Sequence, residues 1–429
     1  MVGSRNAIFE FYKRSDLSTL FDSGACPICL SESSETVLSL APTPLGDRLT
    51  SSLEAARALT YYPLDLALCK GCKHAFLPTV VNPAESYTDY FFETSDSPGL
   101  SETMQSLAQN LVRESLGVEQ GFVLDIGSND GTWLKHFKDL GSDVLGVEPS
   151  SRHAEFATSL GIPTINDYFS IESATRIKSK HGSPSLITAN YVAANIPNLR
   201  DFFAALAELA DESTTIAILT GYHPDQFRIN MFDFIYHEHT SYFTCQDFVN
   251  IGTNVGLELI DVRKVGLKAG SISAKFKLKS SKISASAEVG RMLQYEKWLD
   301  ICSVEWYDQL AQRIQSAKEQ THRFIAEIKP RKIAGYGVSH SVTTLIHHFE
   351  LTGKVSVLTD DNPRRQQKYA PGSGLEVIAP DRLQKDGVDT VVILAWQHDL
   401  LIRQRLKEIG FKGSVIRPLP ASILLNNGK

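Results

Sequence analysis

Val123-Leu124-Asp125-Ile126-Gly127-Ser128-Asn129-Asp130-Gly131 is the stretch that decides how this chain is read. A short apolar run ends on an acid, and a turn holding two glycines follows. The stretch NDGTWLKHFKDLG then reads as a helix ending at Gly141. Continuously apolar strands belong to buried parallel sheets, and ligands gather beyond the carboxyl ends of such strands. Gly127 and Gly131 let a ligand approach the backbone, while the helix start offers unpaired N–H groups. The spacing is not G-x-G-x-x-G, so a dinucleotide pyrophosphate is a poor match. A cofactor with an amino-acid end suits the turn better. The plainer alternative is an ordinary βα turn with a helix-capping acid.

Outward from this block the pattern repeats. DVLGVEP reads as the next strand and ends at Glu148, about 20 residues on, where a carboxylate can accept both hydroxyls of a ribose. The helix SSRHAEFATSLG, the strand PSLITAN, the helix NLRDFFAALAELA and the strand TTIAILTG follow in turn. Strands alternating with amphipathic helices predict a parallel α/β sheet. Upstream, SETMQSLAQNLVRESLG at about 100–117 reads as a helix capped by Ser101. Downstream, residues 285–329 lack proline and contain only Gly290, predicting one long helix or a helical hairpin. KIAGYG, SVTTLIHHFEL, KVSVLTDDNP, DTVVILAW and GSVIRP then restart the α/β grammar.

A length of 429 residues predicts two to four domains, and the pass along the chain narrows this to three. They are 1–90, 91–282, and 283–429 with its long helical segment. A 42% hydrophobic and 21% charged composition excludes whole-chain disorder. A net charge of -6 disfavours nucleic acid and anionic membrane surfaces as partners. No apolar run approaches the ~20 residues of a membrane span. MVGSRNAIFEFYKRSD has no secretory h-region, so a soluble, cytoplasmic protein is expected.

Four of the six cysteines form two knuckles, Cys26-Pro-Ile-Cys29 and Cys69-Lys-Gly-Cys72. In a reducing compartment such pairs suit metal rather than disulfides. Two knuckles complete a tetrahedral zinc site with ligands at ~2.3 Å. Four thiolates leave no open position, so the zinc is expected to be structural.

Asp233-Phe234-Ile235-Tyr236-His237-Glu238-His239-Thr240-Ser241-Tyr242-Phe243 is the second block that carries chemistry. Histidine titrates near neutrality, and an adjacent carboxylate tunes or orients it. H-E-H lacks the H-E-x-x-H spacing that puts two imidazoles on one helix face. General acid–base work is therefore expected here rather than metal binding.

Acid, turn, helix, and then an acid at the next strand end resemble the S-adenosylmethionine site of a class I methyltransferase. With the paired knuckles, Gly146-Val-Glu-Pro149, Tyr236-His-Glu-His239, Gly335-Tyr-Gly337, Asp361-Asn-Pro363 and Pro371-Gly372, the resemblance extends over nearly the whole chain. It is to the S-adenosylmethionine-dependent sugar C-methyltransferases with an N-terminal zinc-binding domain and a C-terminal α/β domain. It implies a Rossmann-like methyltransferase domain flanked by a small zinc domain and a second Rossmann-like α/β domain. It also implies a nucleotide-linked 4-keto-deoxysugar substrate, methylated beside the ketone through an enolate. His239 is then the base, and Glu238 and Tyr236 orient substrate or stabilise the enolate oxygen. Asp125, Gly127, Asn129, Glu148 and Asn190 hold the cofactor, and Cys26, Cys29, Cys69 and Cys72 hold structural zinc.

Two positions depart from the family pattern. Asn195 stands where many members carry histidine, keeping a positioning job while losing proton transfer. Lys268-Ala-Gly-Ser271 stands for H-G-G-S and brings a cation able to pair with phosphate or carboxylate. The alternatives are a sugar-nucleotide epimerase or isomerase using the same base, and a methyltransferase acting on another small molecule. A nucleic-acid methyltransferase conflicts with the acidic balance, and a non-catalytic scaffold is the fourth reading.

Overall fold

The computed structural model describes residues 20–22, 24–82, 100–116 and 121–426. Its strands are β1 (Leu20–Asp22), β2 (Ser34–Thr43), β3 (Tyr62–Cys69), β4 (Ala75–Phe76), β5 (Thr79–Val81), β6 (Phe122–Ile126) and β7 (Asp143–Val147). There follow β8 (Thr164–Ile165), β9 (Leu186–Asn190), β10 (Thr215–Gly221), β11 (Ser241–Tyr242), β12 (Leu257–Val265) and β13 (Ser271–Leu278). The last are β14 (Ile333–Tyr336), β15 (Val357–Thr359), β16 (Val377–Ile378), β17 (Thr390–Ile393), β18 (Ser414–Arg417) and β19 (Ile423–Asn426). β1 and β5 form a separate antiparallel ribbon.

The largest sheet runs β12-β13-β10-β9-β6-β7-β8. β8 through β10 pair in parallel, while β13 runs antiparallel to β10 and β12 antiparallel to β13. The quoted block supplies β6, whose Val123, Leu124, Asp125 and Ile126 are buried. From β6 the chain winds one way through β7 and β8, then returns to lay β9 on the other side. That reversal opens a crevice beyond β6 and β9, the usual place for a ligand in such sheets. Gly131, at φ 79, ends the turn, and the helix Thr132–Asp139 buries Trp133, Leu134 and Phe137 beneath it.

The structure adds β8 and the β12–β13 hairpin to the expected elements and changes one helix start. The two-residue β8 has too few residues to show a pattern. In the β12–β13 hairpin, Leu257 to Val262 partly alternates in burial. The helix Leu100–Leu111 already includes Ser101, so that residue is not its cap, and a wider turn, Val112–Leu116, follows. The stretch 285–329 is two helices, Ala287–Leu299 and Val304–Ile328. Asp300 takes a left-handed φ of 53 between them, and Ser303 caps the second by accepting from Trp306 N at 3.2 Å. The first packs against β12, and the second lies between β2 and the C-terminal strands β18 and β19.

A four-stranded sheet, β11-β4-β3-β2, carries the second cysteine knuckle at the end of β3. Its edge strand β11 comes from the Tyr236–Phe243 block, far along the chain. The C-terminal sheet is β16-β15-β14-β17-β18-β19, parallel except for β19. One apolar core joins these two sheets. It includes Leu64 and Leu66 of β3, Tyr307, Leu310 and Ile314 of the long helix, and Leu345 and Phe349 beside the C-terminal sheet. At ~1.5–3 kcal/mol for each large side chain withdrawn from water, separating the sheets would be costly. Among the described residues no helix is long and apolar enough to cross a membrane.

Candidate active site

The two knuckles fold alike. Leu30 N donates to Cys26 O and Lys73 N to Cys69 O, while Cys26 N donates to Ser31 O and Cys69 N to His74 O. Leu30 and Lys73 both adopt positive φ, at 61 and 65. The four Sγ atoms lie within 4.8 Å of one another, with Cys26–Cys72 and Cys29–Cys69 at 3.5 Å. A tetrahedron of 2.3 Å zinc–sulfur bonds has edges of about 3.8 Å, so the residues fit that ion. Among the described residues no other group of three or more such side chains could hold a metal. His74, next to the second knuckle, sits 3.2 Å from Asp247 in full burial, and Asn254 Nδ2 donates to Ile28 O at 3.2 Å. These contacts clamp the knuckles to the central sheet's helix Cys245–Val255.

A cleft of about 2990 Å³ begins at the crevice beyond β6 and β9. Gly127 has φ +67, and a Cβ there would lie 2.5 Å from Val192 Cγ2. Asn129 N and Ser150 N donate to the two oxygens of Glu148 at 2.9 and 2.8 Å, fixing that carboxylate at the cleft wall. Each oxygen keeps a second lone pair for a hydroxyl. Burial raises the Glu148 pKa. Asn190 also lines the wall, and its buried Nδ2 has no partner among the described residues. An unpaired buried donor carries a desolvation cost that a ligand carbonyl or carboxylate would relieve. Asp125 does not reach the cleft. It is buried behind the turn, accepts from Thr188 Oγ1 at 2.6 Å, and is pushed up to about 8 by burial. S-adenosylmethionine, with ribose hydroxyls and an amino-acid end, fits this donor and acceptor set.

Within the second block, Tyr236–His239 form a turn ahead of β11: His239 N donates to Tyr236 O at 2.9 Å. Leu77 N to Thr240 O at 3.0 Å ties it to the knuckle-bearing sheet, and Thr240 N to Ala194 O at 2.7 Å ties it to the central one. The turn splits its side chains. His237 points away, its Nε2 3.2 Å from Pro63 O, whereas Tyr236, Glu238 and His239 face the cleft.

Tyr236 Oη is 2.8 Å from His239 Nε2, with ring centroids 4.1 Å apart. His239 Nδ1 lies 3.2 Å from Phe234 O, which only an N–H can serve. The network therefore assigns the proton to Nδ1 and leaves Nε2 to accept from the tyrosine hydroxyl. Burial, with the Lys268 ammonium and then His340 nearby, lowers His239 to about 3, so it stays neutral at cellular pH.

Asn195 ends a short turn after β9, and its buried Oδ1 has no partner among the described residues. Tyr191, left-handed at φ 57, has its hydroxyl 3.0 Å from Ser271 Oγ and is raised to about 12 by burial. Lys268 sits in the β12–β13 turn, where it and Ala269 take φ of 47 and 59. Lys268 as a whole residue is exposed, yet its Nζ turns inward to 3.7 Å above the Tyr191 ring. Withdrawal from water lowers this ammonium to about 8.

The far end of the cleft is the carboxyl edge of the C-terminal sheet. Gly337 (φ +107) and Ser339 precede the helix His340–His348, and Arg364, Arg365 and Lys368 line the same wall. Asp47, which has no signal in the local sequence pattern, and His340, which follows the Gly335-Tyr-Gly337 turn, border the reaction end. Asp47 lies in the loop after β2, and only the packing of the two outer sheets brings these residues to the Tyr236–His239 turn.

This architecture defines a class, the Rossmann-like S-adenosylmethionine-dependent methyltransferases. Family models match as "methyltransferase domain" over residues 100–262, "C-methyltransferase C-terminal domain" over 266–420 and zinc binding domain over 26–87. The C-methyltransferase NovU of Streptomyces niveus is 26% identical over 400 residues, covering 92% of this chain and 95% of that one. Among solved structures, magnesium protoporphyrin IX methyltransferase from Synechocystis PCC 6803 aligns at 14% identity and TM-score 0.32 over 42% of this chain and 79% of that one. A methyltransferase from Archaeoglobus fulgidus aligns at 14% and 0.35, over 43% and 97%. The chain is an S-adenosylmethionine-dependent C-methyltransferase with an N-terminal zinc-binding domain and a C-methyltransferase C-terminal domain. The four-cysteine cluster is its structural zinc site.

Proposed function

We propose that this enzyme methylates the carbon beside the ketone of a nucleotide-linked keto sugar, in a chain divided near residues 90 and 282. One observation carries the reading: a single cleft joins the cofactor crevice, the Tyr236–His239 pair and the basic wall of Arg364, Arg365 and Lys368. Those three cations suit a diphosphate-bearing substrate whose sugar reaches the pair.

Bound at Gly127, Asn129, Glu148 and Asn190, the cofactor supplies an electrophilic methyl group. Neutral His239, coupled to the Tyr236 hydroxyl, accepts the acidic proton beside the ketone. The electron pair left on carbon then forms the new C–C bond. Lys268 is the group offered to the developing oxyanion, and the unpartnered Asn195 Oδ1 is an acceptor for a sugar hydroxyl. Asp125 acts from behind, holding the β6 turn through Thr188. A cytoplasmic biosynthetic role follows from the same substrate class. The test is transfer of a labelled methyl from S-adenosylmethionine to a panel of nucleotide-linked keto sugars. Label in the sugar carbon frame supports the reading. Exchange of solvent deuterium without methylation points to an epimerase, and no reaction with any member overturns it.

A further inference from the structure

His340 is the first residue of a C-terminal helix, yet it stands in the reaction end of the cleft. The Tyr236 ring lies close to two imidazoles, His239 at 4.1 Å and His340 at 5.1 Å between centroids. His340 Nε2 is 3.5 Å from Glu238 Oε1, and its Nδ1 is 3.9 Å from Asp47 Oδ2. The other oxygens of both carboxylates are buried and have no hydrogen-bond partner among the described residues. Gly46 makes this approach possible, because a Cβ there would fall 2.5 Å from His340 Cα. Thr343 Oγ1 donates to Gly46 O at 3.0 Å and locks the two segments together. The groups facing the imidazole are thus Asp47 from the knuckle-bearing part and Glu238, Tyr236 and His239 from the reaction turn, and among the described residues the ring makes no hydrogen bond.

The chemistry requires an outlet. Each methyl transfer breaks one C–H bond and releases one proton, while the electron pair stays on carbon. The imidazole of His239 is buried and weakly basic, so it cannot store that proton between turnovers. Of the three groups Glu238, His340 and Asp47, the carboxylate of Glu238 is the most enclosed, with its side chain 7% exposed, against 20% and 21%. Accessibility therefore rises from Glu238 to His340 and Asp47.

We propose that Glu238, His340 and Asp47 form an acid–base relay that carries the substrate proton from the reaction end to solvent, with His340 as its exchanging member. The step needs no oxidant or further reactant: the proton that His239 takes from carbon passes to the Glu238 carboxylate and then to the His340 imidazole, and Asp47 hands it to water. The inference rests on base-catalysed C-methylation as proposed above.

The experiment compares wild type with His340→Asn, His340→Ala and Asp47→Asn, using the nucleotide-linked keto sugar that wild type methylates. Calorimetric S-adenosylmethionine binding and the unfolding midpoint confirm that each variant is folded. Asparagine keeps hydrogen bonding but cannot exchange a proton at this pH. His340→Asn should lower kcat by about 100-fold with KM within twofold, and added imidazole should restore several-fold activity to His340→Ala. Should His340→Asn misfold, imidazole rescue of His340→Ala and a kcat-selective loss in Asp47→Asn decide the matter. Wild-type turnover in folded His340→Asn, or no rescue, overturns the relay while leaving the proposed reaction intact. A wild-type enzyme that methylates no keto sugar overturns both.

Discussion

Trp396 Nε1 donates to Asp233 Oδ2 at 2.9 Å, so the turn after β17 grips the residue three places before Tyr236. Gln397 Nε2 adds a second donor at 3.2 Å, while Asp233 Oδ1 stays buried without a partner among the described residues. The C-terminal domain thus helps set the reaction turn as well as closing the cleft. Burial raises the Asp233 carboxyl to about 7 despite these donors. A raised folded-state pKa means the folded protein binds the extra proton. This contribution to stability is full below the unfolded value, near 4, and is lost as pH rises through about 7. Asp233→Asn removes it, so urea midpoints taken from pH 4 to 8 should fall less steeply than wild type. The difference in slope is at most about 1.4 kcal/mol per pH unit. Identical slopes would show that Asp233 does not titrate in this window.

His239→Ala and Tyr236→Phe separate the members of the proton-accepting pair. Loss of the imidazole should reduce kcat by about 100-fold or more, with cofactor affinity unchanged. Tyr236→Phe removes the hydroxyl that His239 Nε2 accepts from, 2.8 Å away, and should also cut turnover. Labelled methyl transfer under saturating cofactor measures both. Full activity in His239→Ala removes it from the role of base.

Lys268→Met tests the inward-turned cation. Its ammonium is the largest named influence after burial holding His239 down, so removing it should let the imidazole pKa rise. A base that is protonated at higher pH shifts the acid limb of the kcat profile toward higher pH. Loss of oxyanion or substrate contact should also lower kcat/KM by about 10-fold. An unmoved limb with unchanged kcat/KM would mean that the Lys268 charge does not act at the site.

Gly127→Ala should weaken S-adenosylmethionine binding, because the new methyl group meets Val192 Cγ2 at 2.5 Å in a backbone already at φ +67. Isothermal calorimetry should register a loss of at least about 10-fold, the equivalent of ~1.4 kcal/mol. Native affinity would show that the turn relaxes freely.

Zinc removal should reach the active site from a distance. The second knuckle ends β3, β3 pairs β4, and β4 pairs β11, which continues directly from the Tyr236–His239 turn. Cys72→Ser should lower zinc content from one ion per chain and drop the unfolding midpoint by about 10 °C, at ~2–4 °C per kcal/mol. Turnover should fall with it. A zinc-free enzyme of native midpoint and turnover would make the cluster dispensable.

The sequence by itself determined what is periodic or tightly spaced. The β6 block, the helix after Gly131 and the strand ending at Glu148 are local patterns, and steric rules turn them into strand, turn and helix without outside help. The cysteine knuckles were legible for the same reason, since two residues on each tight turn leave few geometries for four sulfurs. The block Tyr236–His239 announced chemistry by composition, but its spacing did not show that His237 turns away while Tyr236 and His239 pair. Tertiary structure decided that division, because β11 must continue into the knuckle-bearing sheet and fixes which side chains of the preceding turn face outward. It also moved Asp125 behind the cleft, through the hydrogen bond from Thr188 on the neighbouring strand. Asp47 carried no local signal at all, and His340 only that of the Gly335-Tyr-Gly337 turn just before it. They meet because one apolar core packs the first and last sheets together, and burial has no preference for residues that are near in sequence.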